Sequence, residues 1–317
     1  MVGVIGGCLD VCFGFRVPDI PVLRSSSHSL LRHAFLKSII GGCAGSYSVG
    51  CSKRSCREAC ANRISSRRLD DGESKWCNYR YTSPPIPKPE SHTNTHPLGW
   101  GVFLPNSLTL PVVNKAIGGR SSRSYTVEGR FDEIANLVKP NDIVIMEFGH
   151  NDGGGLGSGD NGRSVCPGTG SETCQSTYNG QAVTVHTFPY YLTEAGKKLI
   201  AKGAKVIVSS QTPNNPWEGG SFSYTDGGRF VGYARDVAKA LGSNAMYVDH
   251  GAYTADIFKT LGKAKVDAFF PVDHTHPSPA GSDAVAKAFV KGIQCGGGGF
   301  LNGFVKNATA SIPGKCL

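Results

Sequence analysis

Gly149-His150-Asn151-Asp152 and Asp273-His274-Thr275-His276 are the two short stretches of this chain whose residue types could do chemistry together. The first directly follows Asp142 to Phe148, an apolar run that reads as a buried strand, so its polar groups stand at that strand's carboxyl end. The second follows Phe269-Phe270-Pro271-Val272 and precedes a helix start at Ser278-Pro279, which implies the same kind of place. In an open α/β sheet, binding and chemistry collect along that edge. Asp273, three residues before His276, can reach the imidazole Nδ1 and fix its tautomer, leaving Nε2 as a base. Asn151 can offer a side-chain amide to a developing oxyanion. Gly119 can offer a backbone N–H on a turn where the lack of Cβ lets the chain approach a substrate. Base, orienting carboxylate and oxyanion donors are three of the four parts of acyl transfer through a serine; the hydroxyl nucleophile is the fourth. The same residues could instead serve as loop and helix caps, and His150 and Asp152 could either hold the loop or touch the substrate.

The elements that must position these groups alternate from Trp100 onward. Short apolar runs at 111–114, 142–148, 205–210 and 246–249 read as strands, and 128–138, 188–202, 229–241, 254–261 and 278–293 read as helices. In the last helix Ser278 can cap, Pro279 fits the first turn, and Ala284, Val285, Ala288 and Phe289 fall on one apolar face. Short strands joined through helices predict a parallel sheet in a three-layer α/β domain over residues 99–317. The stretch 153–180 is a Gly/Ser-rich loop of the kind that is functional or pinned by a disulfide. Residues 1–98 sustain neither period and carry Arg/Ser clusters and a Pro-rich run at 84–89, so they read as a disordered or aberrant extension.

Composition divides at the same place. The chain has 317 residues and a formal charge of +9, and residues 1–98 hold 13 Lys/Arg against 7 Asp/Glu while the remainder holds 20 against 17. The basic excess therefore lies mainly outside the α/β part. No recognition helix, stacking-aromatic motif or zinc-finger spacing accompanies it, so nucleic acid is not expected as a partner. Seven of the eleven cysteines precede residue 80, and Cys51, Cys56 and Cys60 lack the His or CxxC partner of a zinc framework, so no metal is expected. Val2 to Gly7 is apolar but has no basic region before it and no cleavage site after it, so it is not a clean signal peptide. No run is long enough to span a membrane.

Gly119-Arg120-Ser121, Gly149-His150-Asn151-Asp152 and Asp273-x-x-His276, in this order, resemble the second, third and fifth sequence blocks of the SGNH (GDSL-type) hydrolases. Gly118 to Phe131, Ser209 to Glu218 and Phe270 to Gly281 narrow the resemblance to the fungal rhamnogalacturonan acetylesterases, from about Gly99 to the C-terminus. The resemblance implies a flavodoxin-like three-layer α/β/α fold and a secreted, monomeric, cofactor-free carbohydrate esterase acting on acetylated pectic polysaccharide. It implies His276 and Asp273 as base and orienting acid, Gly119 and Asn151 as oxyanion donors, and disulfides Cys166–Cys174 and Cys295–Cys316. Disulfides point to an oxidising compartment, and the sequon Asn307-Ala308-Thr309 agrees with one. Trp217 could stack on a sugar or simply be packed. Arg120, Arg123 and Arg130 could attract an acidic backbone, or be solvated or paired internally.

One departure stands against the resemblance. The family's nucleophile sits in Gly-Asp-Ser after the first core strand, shortly before the Gly-Trp-Gly that is here Gly99-Trp100-Gly101, and neither that triplet nor an apolar first strand occurs there. Ser83 is nearest in position and Ser91 next, but Pro84 and Pro85 forbid the helix that should follow. Two readings follow: an esterase whose nucleophile block is replaced by an aberrant N-terminal sequence and which is inactive without it, or a non-catalytic carbohydrate-binding module built on the same cleft.

Overall fold

The computed structural model describes residues 2–6 and 99–317. Five strands form the main sheet: β1 (Val2–Gly6), β2 (Val112–Asn114), β3 (Ile143–Glu147), β6 (Lys205–Ser209) and β7 (Ala245–Val248). A separate antiparallel hairpin is made by β4 (Thr173–Tyr178) and β5 (Gln181–His186). The main sheet is parallel throughout, in the order β2-β1-β3-β6-β7. Leaving out the hairpin, this is the flavodoxin-like order in which the first strand lies inside the sheet and the strand order reverses between the first and third strands.

β1 corrects the sequence reading of residues 1–98. Val2 to Gly6 enters the sheet between β2 and β3, pairing Val2 with Val112 on one side and with Ile143 on the other. A parallel central strand needs only a short β-branched apolar run, and its partners lie more than a hundred residues away, so no local period announces it. Residues 7–98, with Ser83, Ser91 and the seven early cysteines, lie outside the described residues.

The strands β3 and β6 show why there are three layers. Along β3, Val144 and Met146 face one core while Ile143 and Ile145 face the other; Val206 and Val208 of β6 join the first, and Ile207 the second. The first core is closed by α1 (Ser122–Val127), α2 (Arg130–Leu137), α3 (Phe188–Ala201) and α4 (Arg229–Leu241). The second is closed by α5 (His250–Leu261), α6 (Lys263–Asp267) and α7 (Pro279–Cys295). Phe188 and Leu199 on α3, and Phe289 on α7, are fully buried, each worth roughly 1.5–3 kcal/mol of apolar transfer.

The helix starts follow the expected chemistry. Ser278 caps α7 with Pro279 in its first turn, Asp249 caps α5 through the Ala252 amide, and Ser121 with Ser124 forms a capping box on α1. The Phe269–Val272 run is not a strand. It lies in the loop between α6 and α7, where Pro271 has no N–H for a ladder. Cys166–Cys174 pins the excursion between β3 and α3, and Cys295–Cys316 ties the C-terminal tail to the end of α7.

Candidate active site

Three turns leave the carboxyl edge of the sheet close together. The first follows β2 and contains Gly119, buried, with φ +72, a left-handed conformation that favours glycine. The second follows β3. Its Gly149 has φ +141, and a Cβ there would collide with the Gln211 side-chain amide oxygen. The third follows β6 and runs from Ser210 to Glu218.

Asp152 joins the first two turns. Its carboxylate is 1% exposed, and Oδ1 accepts from the backbone amide and the hydroxyl of Ser122, three residues beyond Gly119. Burial pushes this carboxyl up to about 7 against the pull of the Ser122 and Gly149 hydrogen bonds, and Oδ2 is buried without a partner. Next to it, half-buried Asn151 accepts a 3.4 Å hydrogen bond from Arg163 at Oδ1.

His150 links the second turn to the third, since its ring bonds the Thr212 backbone. Burial holds its imidazole below the ordinary histidine range. Glu147 and the Thr212 bond oppose that, whereas nearby His276 acts in the same direction.

In the α6–α7 loop the Asp273 side chain is 40% exposed, while the His276 side chain is 6% exposed. Asp273 Oδ2 is paired with His276 Nδ1, and Oδ1 accepts from the amides of Thr275 (2.7 Å) and His276 (2.8 Å). Partial burial would raise the Asp273 carboxyl, but the hydrogen bonds from the His276 ring and these two amides outweigh it and hold the group below the usual carboxylate range. An ionised Asp273 keeps the proton of a neutral His276 on Nδ1. His276 Nε2 is buried and has no hydrogen-bond partner among the described residues, which leaves a basic nitrogen able to accept a proton.

The loop is tied to the third turn: the Asn215 amide donates to the His274 carbonyl, and His274 Nδ1 lies 3.0 Å from Glu218 Oε1. His274 is thus an exposed neighbour of His276. Trp217 on the same turn is half-buried; its indole N–H donates to the Phe258 carbonyl and its ring meets Phe222 edge-on. The three arginines are paired internally: Arg120 and Arg130 with Glu128, and Arg123, 4% exposed, with Asp160 through two 2.9 Å contacts.

Sequence reasoning missed Asp152 as the bond between the turns, Gln211 behind Gly149, and Glu147, which was read as part of an apolar run. A single ionisable residue closing an otherwise apolar strand was the available signal for Glu147. Among the described residues, no group of three or more His, Cys, Asp or Glu is placed to hold a metal ion.

A parallel flavodoxin-like sheet carrying a Gly turn, a Gly-His-Asn-Asp turn and an Asp-x-x-His loop along its carboxyl edge is the frame of an SGNH-type acyl hydrolase. The GDSL-like Lipase/Acylhydrolase family matches residues 81–284, and the chain belongs to this family. It is 56% identical over 199 residues to the rhamnogalacturonan acetylesterase of Emericella nidulans, an alignment covering 63% of this chain and 80% of that one. It is 26% identical over 208 residues to a Bacillus subtilis protein named "Probable rhamnogalacturonan acetylesterase YesY", covering 63% and 85%. Among solved structures, YxiM of Bacillus subtilis superposes with a TM-score of 0.48 at 21% identity, covering 63% of this chain and 51% of that one.

Proposed function

We propose that this protein is built as a carbohydrate esterase that removes acetyl groups from rhamnogalacturonan-type pectic polysaccharide, inactive in the chain as it stands for lack of its nucleophile block. The observation that carries the reading is the Asp273–His276 pair with its bare Nε2, set beside the Asn151 turn in a chain 56% identical to a rhamnogalacturonan acetylesterase. In the reaction, His276 Nε2 takes the proton of the attacking hydroxyl while Asp273 holds the imidazole and stabilises the imidazolium that forms. The Gly119 N–H and the Asn151 amide receive the negative charge on the ester oxygen, each donor worth about 3 kcal/mol of transition-state stabilisation. His276 then returns the proton to the departing sugar hydroxyl, and water repeats the sequence on the acyl-enzyme. His150, neutral at this edge, and Trp217 are assigned to the substrate side. The two disulfides fit an extracellular setting, and Asn307 is the candidate glycan acceptor of a monomeric secreted enzyme.

The nucleophile is the part to be settled by experiment. Ser83 is the sequence candidate. β1 ends at Gly6 and the sequence continues Gly7-Cys8, where the family has Gly-Asp-Ser at the end of its first strand. Acetate release from acetylated rhamnogalacturonan and from an aryl acetate should be negligible in the chain as it stands, and should rise by several powers of ten in the Gly7→Asp/Cys8→Ser variant. Adding His276→Ala should abolish the gain. Activity of the unaltered chain that Ser83→Ala removes would make Ser83 the nucleophile, and no acetate release from any version would sink the esterase reading.

A further inference from the structure

A polar cluster that acyl transfer does not use lies among the residues that carry this edge. Glu147 closes β3, in register with Gly6 on one side and Ser209 on the other. His250 opens α5 and is fully buried. Its Nε2 lies 2.8 Å from the Val285 carbonyl, which can only accept, so Nε2 carries a proton. Its Nδ1 lies 2.6 Å from Glu147 Oε2. The same carboxylate accepts from the Trp100 indole N–H at Oε1 (2.8 Å) and from the Ser209 hydroxyl at Oε2 (2.7 Å). Trp100 and Phe289 enclose the imidazole edge-on, at centroid distances of 4.7 and 5.5 Å.

We propose that Glu147 and His250 form a buried carboxylate–imidazolium pair that acts as a positioning element for the site, fixing the β3 turn against the helix that follows His276. Two external donors converge on the Glu147 carboxylate and both ring nitrogens of His250 face acceptors, the arrangement that satisfies the ionised forms of both partners completely. The cluster connects the carriers of the site. Glu147 stands four residues before Asn151. Val285 lies on α7, whose start is capped immediately after the Asp273–His276 loop. Ser209 leads into Gln211, which backs Gly149. The charge state stands on this geometry alone, whereas the positioning role rests on the catalytic reading of His276.

Nitrogen-15 NMR at neutral pH decides the first part. Both ring nitrogens of His250, assigned by their loss in His250→Gln, should carry protons and show imidazolium shifts; one bare nitrogen would overturn the ion pair. The low-field proton of His276 Nδ1 in its bond to Asp273 reads the second part. Glu147→Gln keeps an acceptor for Trp100 and offers an amide proton to a neutral His250, so the His276 signal should persist. Glu147→Ala should lose it in a protein that still unfolds cooperatively. Should Glu147→Ala not fold, Trp100→Phe removes one donor and keeps the ring, and the His276 proton should then exchange roughly tenfold faster, the effect of one hydrogen bond to a charged group. An unchanged signal in Glu147→Ala, or in Trp100→Phe where Glu147→Ala does not fold, overturns the positioning role. Absence of the His276 signal from the unaltered protein would instead count against the catalytic reading and leave the ion-pair result standing.

Discussion

The turn after β3 and the loop before α7 supply opposite sides of the same site and are held by opposite means. Gly149–Asp152 is gripped by groups withdrawn from water: Asp152 on Ser122, Gln211 against Gly149, and beyond the turn the Arg123–Asp160 pair, which fixes the excursion to α1. Asp273–His276 folds around its own carboxylate, with three bonds to Asp273 spanning no more than three residues, and its further ties to Asn215 and Glu218 are partly in water. Non-local bonds in a dry setting are strong when complete and costly when broken; local bonds at a wet edge gain little from further solvated partners.

The largest effect should come from Arg123. Asp160 also accepts from the Ser176 hydroxyl and the Gly162 amide, and its carboxyl is drawn below the usual range. Burial works against that shift, and the bonds from Arg123, Ser176 and Gly162 produce it. Arg123→Ala leaves a buried carboxylate without its counter-charge, a loss expected at about 3–5 kcal/mol by denaturant unfolding. A cost below about 1 kcal/mol would mean that water reaches the pair and that the dry grip is overstated.

The same contrast explains what the sequence made legible. The Asp273–His276 pair could be read from four consecutive positions because its geometry is local. The candidate strands at 111–114, 142–148, 205–210 and 246–249 could be read because strands buried on both faces are continuous apolar runs. What escaped was mostly non-local: β1 is defined by partners beyond residue 110, and Asp152 acts on a serine thirty positions earlier. The β4–β5 hairpin is local, and its signal, an Asn179-Gly180 turn followed by Val183 and Val185 in alternation, lies at the end of a Gly/Ser-rich stretch that reads as loop. The Phe269–Val272 run resembles a strand end for the converse reason: Phe269 and Phe270 are apolar because they pack on Phe258 of α5, while Val272 is exposed in the loop.

Asp152 gives the next effect, and its sign follows from the shift. Its folded value, raised to about 7 from an ordinary 3.8, means that below about pH 4 both folded and unfolded states are protonated and burial carries no ionisation penalty. As pH rises from there to about 7 the unfolded chain ionises first, so stability falls, by about 4 kcal/mol at most, and the slope vanishes above about 7. Asp152→Asn retains an acceptor for Ser122 and removes the titration. Its stability relative to the unaltered protein should therefore improve steadily between pH 4 and 7 in urea melts. A flat difference would show that Asp152 is ionised in the fold, and the β3 turn would lose its claim to a dry grip.

The smallest effect should fall on the other side, at the Glu218–His274 contact. Its side chains are 62% and 49% exposed, and such surface pairs are worth about 0.2–1 kcal/mol and weaken further in salt. If the Asp273 carboxylate and the backbone contact from Asn215 hold the loop, Glu218→Ala should lower stability by less than about 1 kcal/mol. It should also leave the low-field His276 proton in place, and the unaltered protein in high salt should behave like the variant. A loss of the His276 signal in Glu218→Ala would overturn the contrast, because His276 would then owe its orientation to a solvated surface partner and not to the Asp273 bonds and the buried framework behind them.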